Sequence, residues 1–350
     1  MKKLILLSLI MGILSNLPSI VIYKNYSSDK NLKTLRFSML NDSTATSHEF
    51  VKSYMDTINI HYNENKIIIP IQKQIIPALD SISTKEKILV MSDIEGNFEA
   101  FYQLLLSNKV IDKNGNWIFS KGQLVIVGDM VDRGDKVHEC LYLLYKIDYQ
   151  AYQAGGRVHY LIGNHDLMLM TGDDRYAHPK YKAMAKSLNQ PVKDMYAQDT
   201  IIGSWMRSKK IILKINDKLF VHAGISLQLI QNNYTILEIN QSFSDFLNHQ
   251  IMNDRIQFLL RSYGPIWYRG MVMDYKSDLK ISQSDFNTIL NYFSVNRIFI
   301  GHTVVEQISS DYSGKLIRVD VDHYENAQAL MITNKSIKVY NLKGEVQEIK

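Results

Sequence analysis

Five apolar runs in this 350-residue chain each stop at a glycine- or aspartate-bearing turn: "KILVMSD", "QLVIVGD", "RVHYLIGN", "KLFVHAG" and "RIFIGHT". Apolar runs of strand length bounded by such turns read as buried β-strands. Helical patterns, "EAFYQLLLSNKV" and "VHECLYLLYKIDYQAYQAG", separate the first three. The order strand, helix, strand, helix, strand predicts an α/β layered domain. Asp93, Asp129 and Asn164 close these three runs about 35 residues apart, one βα unit each. Ligands of open α/β sheets gather at the carboxyl ends of strands, so the polar residues there are the candidates for chemistry.

Those residues are Asp93 and Glu95, Asp129, Asn164 with His165, His222, and His302. One aspartate after a strand is usually a helix cap, and one buried histidine is usually a satisfied core residue. Together, carboxylates, an amide oxygen and imidazoles make a mixed oxygen and nitrogen donor set suited to Mn²⁺, Fe²⁺ or Zn²⁺. A central carboxylate can bridge two such ions, as two-metal hydrolases require.

Composition removes several alternatives. The single cysteine, Cys140, excludes an internal disulfide framework and a multi-cysteine zinc site, and its helical surroundings read as packing. A net charge of +5 with no basic block argues against nucleic acid as a partner. At the N-terminus, Lys2 and Lys3 precede the apolar run Leu4–Leu14, the layout of an export signal. Residues 1–23 are therefore expected to be a signal peptide or an N-terminal anchor, giving an exported protein that contacts a membrane only if the segment is retained. Residues 24–84 read as an accessory lead-in packed outside the main domain of residues 85–350. Two stretches, about 167–210 and 226–296, carry helical patches and few strand signals, and are expected to be mostly helical insertions walling a site. The tail from Lys315 alternates strand-like runs with turns and should complete a sheet.

The motifs "GDMVDRGD" (Gly128–Asp135) and "GNHD" (Gly163–Asp166), with "VHAG" and "GHT" following in order, resemble the calcineurin-like metallophosphoesterase superfamily. The "VDRG" element resembles its phosphoprotein-phosphatase-type, Shewanella-like branch. The resemblance implies a layered β-sandwich flanked by helices and a pair of divalent metal ions, Mn²⁺ first among Mn, Fe, Zn and Mg. By the same resemblance, Asp129 bridges the metals, Asp93 ligates the first, and Asn164, His222 and His302 ligate the second. His165 matches the general acid and Asp132 the acid that orients it, while Arg133 and, in "PIWYRG", Arg269 match arginines that hold phosphate oxygens. Arginine forks suit that task because they bind phosphate oxygens bidentately.

The chain departs from the family at Glu95, where Asp-x-His is usual. A glutamate there can ligate through oxygen and shift preference toward harder ions, or it can be too long and leave the first site weak. The expectation is an exported phosphatase of phosphate monoesters, phosphoproteins included. One alternative is a phosphodiester or dinucleoside polyphosphate hydrolase. Another is a binding module for phosphorylated ligands in which Glu95 marks a lapsed first metal site.

Overall fold

The computed structural model describes residues 57–348, apart from 63–64, 73 and 345, together with strands β1 (Ile20–Tyr26), β2 (Lys33–Asn41) and β3 (Thr44–Val51). The export-signal run Leu4–Leu14 lies outside the described residues. The end of the segment read as signal or anchor, residues 20–23, belongs to β1, which pairs with β2 and through it with β3 in an antiparallel sheet.

All five apolar runs are strands, and they divide between two six-stranded sheets. The first sheet holds β6 (Ser81–Ile82), β10 (Ile212–Ile215), β11 (Lys218–Val221), β12 (Arg297–Ile300), β13 (Ser309–Asp311) and β14 (Leu316–Arg318), in the order β13-β14-β12-β11-β10-β6. The second holds β7 (Ile88–Met91), β8 (Gln123–Ile126), β9 (Arg157–Tyr160), β15 (Gln328–Ile332), β16 (Ile337–Asn341) and β17 (Val346–Glu348), in the order β17-β16-β15-β7-β8-β9. β7, β8 and β9 run parallel, as do β11 and β12.

Side chains alternate between two cores. Ile88, Val90, Val125, Phe220 and Phe299 point between the sheets, and Phe220 and Phe299 stack there with ring centroids 4.7 Å apart. Leu89, Met91, Leu124, Val221 and Ile300 belong to the outer core, which they share with the helices. A strand buried on both faces has no polar face, which is why these runs are continuously apolar. The protein is thus an α/β sandwich with helices on the outside.

Helices α1 (Phe98–Ser107) and α2 (Val137–Gln153) connect β7 to β8 and β8 to β9. The Asn97 side chain caps α1 by accepting the Ala100 N–H at 3.1 Å. The first insertion continues α3 (Asn164–Thr171) into α4 (Pro179–Ser187), a 3₁₀ turn and α5 (Ile201–Met206). The second contains α6 (Leu227–Gln231), α7 (Ile236–His249), α8 (Asp254–Leu259) and α9 (Gln283–Phe293). Buried Asn240 fastens α7 to the sheet: its Oδ1 accepts the Ile211 and Ile212 N–H groups at 3.1 and 3.3 Å. Its Nδ2 donates to Ile212 O and Asp80 Oδ1 at 2.9 and 2.8 Å.

The lead-in is more deeply joined to the domain than an outer attachment. Ile67 and Ile69 of the hairpin β4 (Thr57–Tyr62) and β5 (Asn65–Pro70) are fully buried in the helical core. Further on, the Gln72 N–H donates to Tyr145 Oη of α2 at 2.8 Å, and β6 extends the first sheet beside β10. The tail supplies β14 to the first sheet, between β13 and β12, and three antiparallel strands to the second.

Candidate metal and phosphate site

The loops after β7, β8 and β9 of one sheet and after β12 of the other meet at one cavity of about 570 Å³, and His222, after β11, is buried beside Asp129. Asp93, Glu95, Asp129, Arg133, His165, Arg269 and His302 line it. Six residues of these loops hold left-handed backbone: Asp93, Glu95, Asp129, Asp132, Arg133 and His302, with φ of 51, 50, 52, 71, 57 and 65°. Such geometry in non-glycine residues marks loops held by their surroundings for a task. Here the Asp93 N–H donates to Gly128 O and the Glu95 N–H to Asp129 O, both at 3.1 Å. Gly163 must be glycine because a Cβ there would run into the Asp129 carboxylate.

Two groups of donor atoms form, each with its atoms within 4.8 Å of one another: Asp129, His222 and His302, and Glu95, Asp129 and His165. Asp129 is common to both. Asn164 joins the first, its Oδ1 2.9 Å from His222 Nε2. His222 Nδ1–H donates to Val127 O at 2.7 Å, which turns Nε2 toward Asn164 and toward Asp129 Oδ2, 3.1 Å away. Asp129 Oδ2 and His302 Nε2 are buried and make no hydrogen bond of normal geometry. An orphaned carboxylate oxygen and an orphaned imidazole nitrogen, converging beside an amide oxygen and a second imidazole, are what a divalent cation satisfies, so the residues fit a metal pair.

The charges agree. Burial alone would lower the His222 pKa, but the Asp129 carboxylate overrides it and raises the value, while burial of Asp129 is outweighed by His222, which holds its carboxyl down. Facing two acceptors, Nε2 carries a proton where a cation would sit. Asp93 is raised to about 6 by burial, with His222 opposing and Asp129 adding to the shift. Asp93 lines the cavity but is in neither group of close donors; its Oδ2 accepts from Ser92 Oγ and from the His302 N–H.

His165, Asp132 and Arg133 meet as a chain. His165 Nδ1–H donates to Asp132 Oδ2 at 2.8 Å, and Arg133 Nη2 donates to His165 Nε2 at 3.2 Å. Arg133 Nη1 forms an ion pair with Glu95 Oε1. Arg269 donates through Nη1 to His302 O and Thr303 Oγ1 at 2.7 and 2.9 Å, so it braces the His302 loop at the cavity wall. Around the mouth, Tyr176 sets its ring edge on His165 with centroids 4.9 Å apart, and Met273, Val304 and Tyr324 are exposed.

Three further residues belong to the site. Asp166 accepts the Gly163 and Asp129 N–H groups through Oδ2 at 2.8 and 2.9 Å and the Met130 N–H through Oδ1 at 3.1 Å, which fixes the turn that presents Asp129. His323 Nε2–H donates to Ser92 O at 2.8 Å and supports the residue before Asp93. Asp320 is buried at the cavity wall and pushed to about 9 by burial and by the Asp93 charge. Asp166 stands inside the "GNHD" motif, whereas nothing in the sequence around His323 or Asp320 announces contact with "MSDIEG".

The calcineurin-like phosphoesterase family model matches residues 86–306, and the chain belongs to that family. It is a metal-dependent phosphoric ester hydrolase of the Shewanella-like phosphatase branch. A crystal structure titled as the cold-active protein-tyrosine phosphatase of a psychrophilic Shewanella species aligns at 30% identity and a TM-score of 0.82, covering 95% of this chain and 99% of that one. Shewanella-like protein phosphatase 2 of Arabidopsis thaliana is 23% identical, covering 78% of this chain and 81% of its own. Shewanella-like protein phosphatase 1 of Plasmodium berghei is 25% identical, covering 64% of this chain and 63% of its own.

Proposed function

We propose that this protein is an exported phosphatase of phosphate monoesters, acting on phosphorylated protein side chains with a Mn²⁺ pair. The observation that carries the monoester reading is the proton-donating pair His165–Asp132 set beside Arg133 and the shared carboxylate of Asp129 in one open cavity. Bound metals would lower the pKa of a water and neutralise phosphate charge. Asp93, Glu95, Asp129, Asn164, His222 and His302 would hold them. The chain does the rest: Arg133, with Arg269 beside the cavity, grips phosphate oxygens, and His165 delivers a proton to the leaving oxygen. Asp132 fixes the His165 tautomer by accepting from Nδ1.

The exposed rim of Tyr176, Met273, Val304 and Tyr324 supports a substrate with apolar flanks, such as a peptide segment. The names of the similar phosphatases point the same way. Export rests on Lys2, Lys3 and Leu4–Leu14, and is tested by fractionation and N-terminal sequencing of the mature chain. For the chemistry, metal-stripped protein reloaded with Mn²⁺ is assayed on p-nitrophenyl phosphate, bis(p-nitrophenyl) phosphate and a phosphopeptide, with Asp129→Asn as control. Metal-dependent monoester and peptide turnover, lost in the control, is expected. Preference for the diester would replace the reading with a phosphodiesterase, and binding without turnover would leave a binding module.

A further inference from the structure

Arg133 is the residue the proposed function needs free for phosphate, and it is not free. Its Nη1 is paired with Glu95 Oε1 and its Nη2 donates to His165 Nε2 at 3.2 Å. The Glu95 carboxylate meanwhile lies within 4.8 Å of the Asp129 and His165 donor atoms. One carboxylate is therefore within reach of two cations: the guanidinium, and an ion at the shared Asp129. Phosphate oxygens would compete with Glu95 for the same face of the arginine fork.

We propose that Glu95 is a latch, which occupies the Arg133 guanidinium while the first metal position is empty and releases it when a cation at that position takes the carboxylate. Phosphate binding then waits for metal, and the same release frees His165 Nε2 from the arginine to take and deliver a proton. Two observations carry the argument. The Glu95 side chain is only 19% exposed, so it is confined between its two partners. The Arg133 side chain is 47% exposed, so the pair is screened by water and weak enough to open. Glutamate is one methylene longer than aspartate, so rotation about its side-chain bonds can carry the carboxylate between the two partners while the tightly bonded Glu95 backbone stays fixed.

The proposal rests on the phosphatase reading above, and the test separates the two. Inorganic phosphate is titrated calorimetrically into chelator-stripped protein, for the wild type, Glu95→Gln, Glu95→His, Arg133→Ala and Glu95→Gln with Arg133→Ala. Removing the carboxylate is expected to tighten phosphate binding by roughly tenfold, the scale of one charge-assisted arginine hydrogen bond. In the Arg133→Ala background, Glu95→Gln should change affinity by less than about twofold, because the gain comes from the freed fork rather than from removed charge. No gain in either Glu95 variant with the fold intact by circular dichroism, or a gain that persists without Arg133, overturns the latch. Failure of Mn²⁺-loaded wild type to bind phosphate would instead overturn the phosphatase reading.

Discussion

His165 and Asp132 show how a single hydrogen bond assigns a role. With Nδ1–H given to Asp132 at 2.8 Å, the nitrogen left for the proposed proton delivery is Nε2 of this cavity-lining residue. Asp132→Asn offers an amide that can present its own N–H to Nδ1 and force the other tautomer. The expected result is a fall in kcat of about 100-fold on phenyl phosphate, whose leaving oxygen needs a proton, and only a few-fold on p-nitrophenyl phosphate. Equal losses on the two esters would show that Asp132 acts through metal binding or folding instead. Left-handed backbone at six site residues costs on the order of 1 kcal/mol each, offset by the hydrogen bonds that lace the loops together.

At the scale of elements, Asn240 is the buried polar tie between α7 of the second insertion and the first sheet. Asn240→Ala leaves the Ile211 and Ile212 N–H groups and the Ile212 carbonyl without that partner in a buried setting. Urea unfolding should record a loss of about 2–3 kcal/mol, with kcat nearly unchanged because α7 supplies no cavity-lining residue. The five strands and their polar ends were legible in the sequence because burial on both faces leaves an unbroken apolar run and the turn after it stands out. Asp166 was half legible, since it lies inside "GNHD". Asp320, His323 and Asn240 were not, because each acts across the tertiary structure on a segment more than 25 residues away in the chain. Glu95 was legible as a departure, but its partner Arg133 became visible only when the loops after β7 and β8 were seen side by side.

For the molecule as a whole, the site makes stability depend on protons when metal is withheld. His222, Asp93 and Asp320 all have folded pKa values above their unfolded ones: His222 through the Asp129 charge, and Asp93 and Asp320 first through burial, to about 6 and about 9. Each binds a proton in the folded protein that the unfolded chain has already released, so stability is greatest below the unfolded values and falls as pH rises through the folded ones. Asp129, held down by His222, and His138, His159, His302 and His323, held down by burial, act in the opposite sense, but only at and below about pH 6.5, the ordinary histidine value. The Tm of chelator-stripped protein is therefore expected to fall between about pH 7 and about pH 9, and saturating Mn²⁺ to flatten the slope by replacing those protons. A flat Tm without metal would refute the proton-for-metal exchange at His222.

The donor atoms come from both sheets, Asp93, Glu95, Asp129 and Asn164 following strands of one and His222 and His302 following strands of the other. During synthesis Asp93, Glu95, Asp129 and Asn164 emerge long before His222 and His302, and an ion can be locked in only after β11 and β12 have docked against β7, β8 and β9. The protein is thus loaded late in its own assembly, and its metals are drawn from whichever compartment witnesses that docking. For a chain threaded unfolded across a membrane, the far side makes the choice.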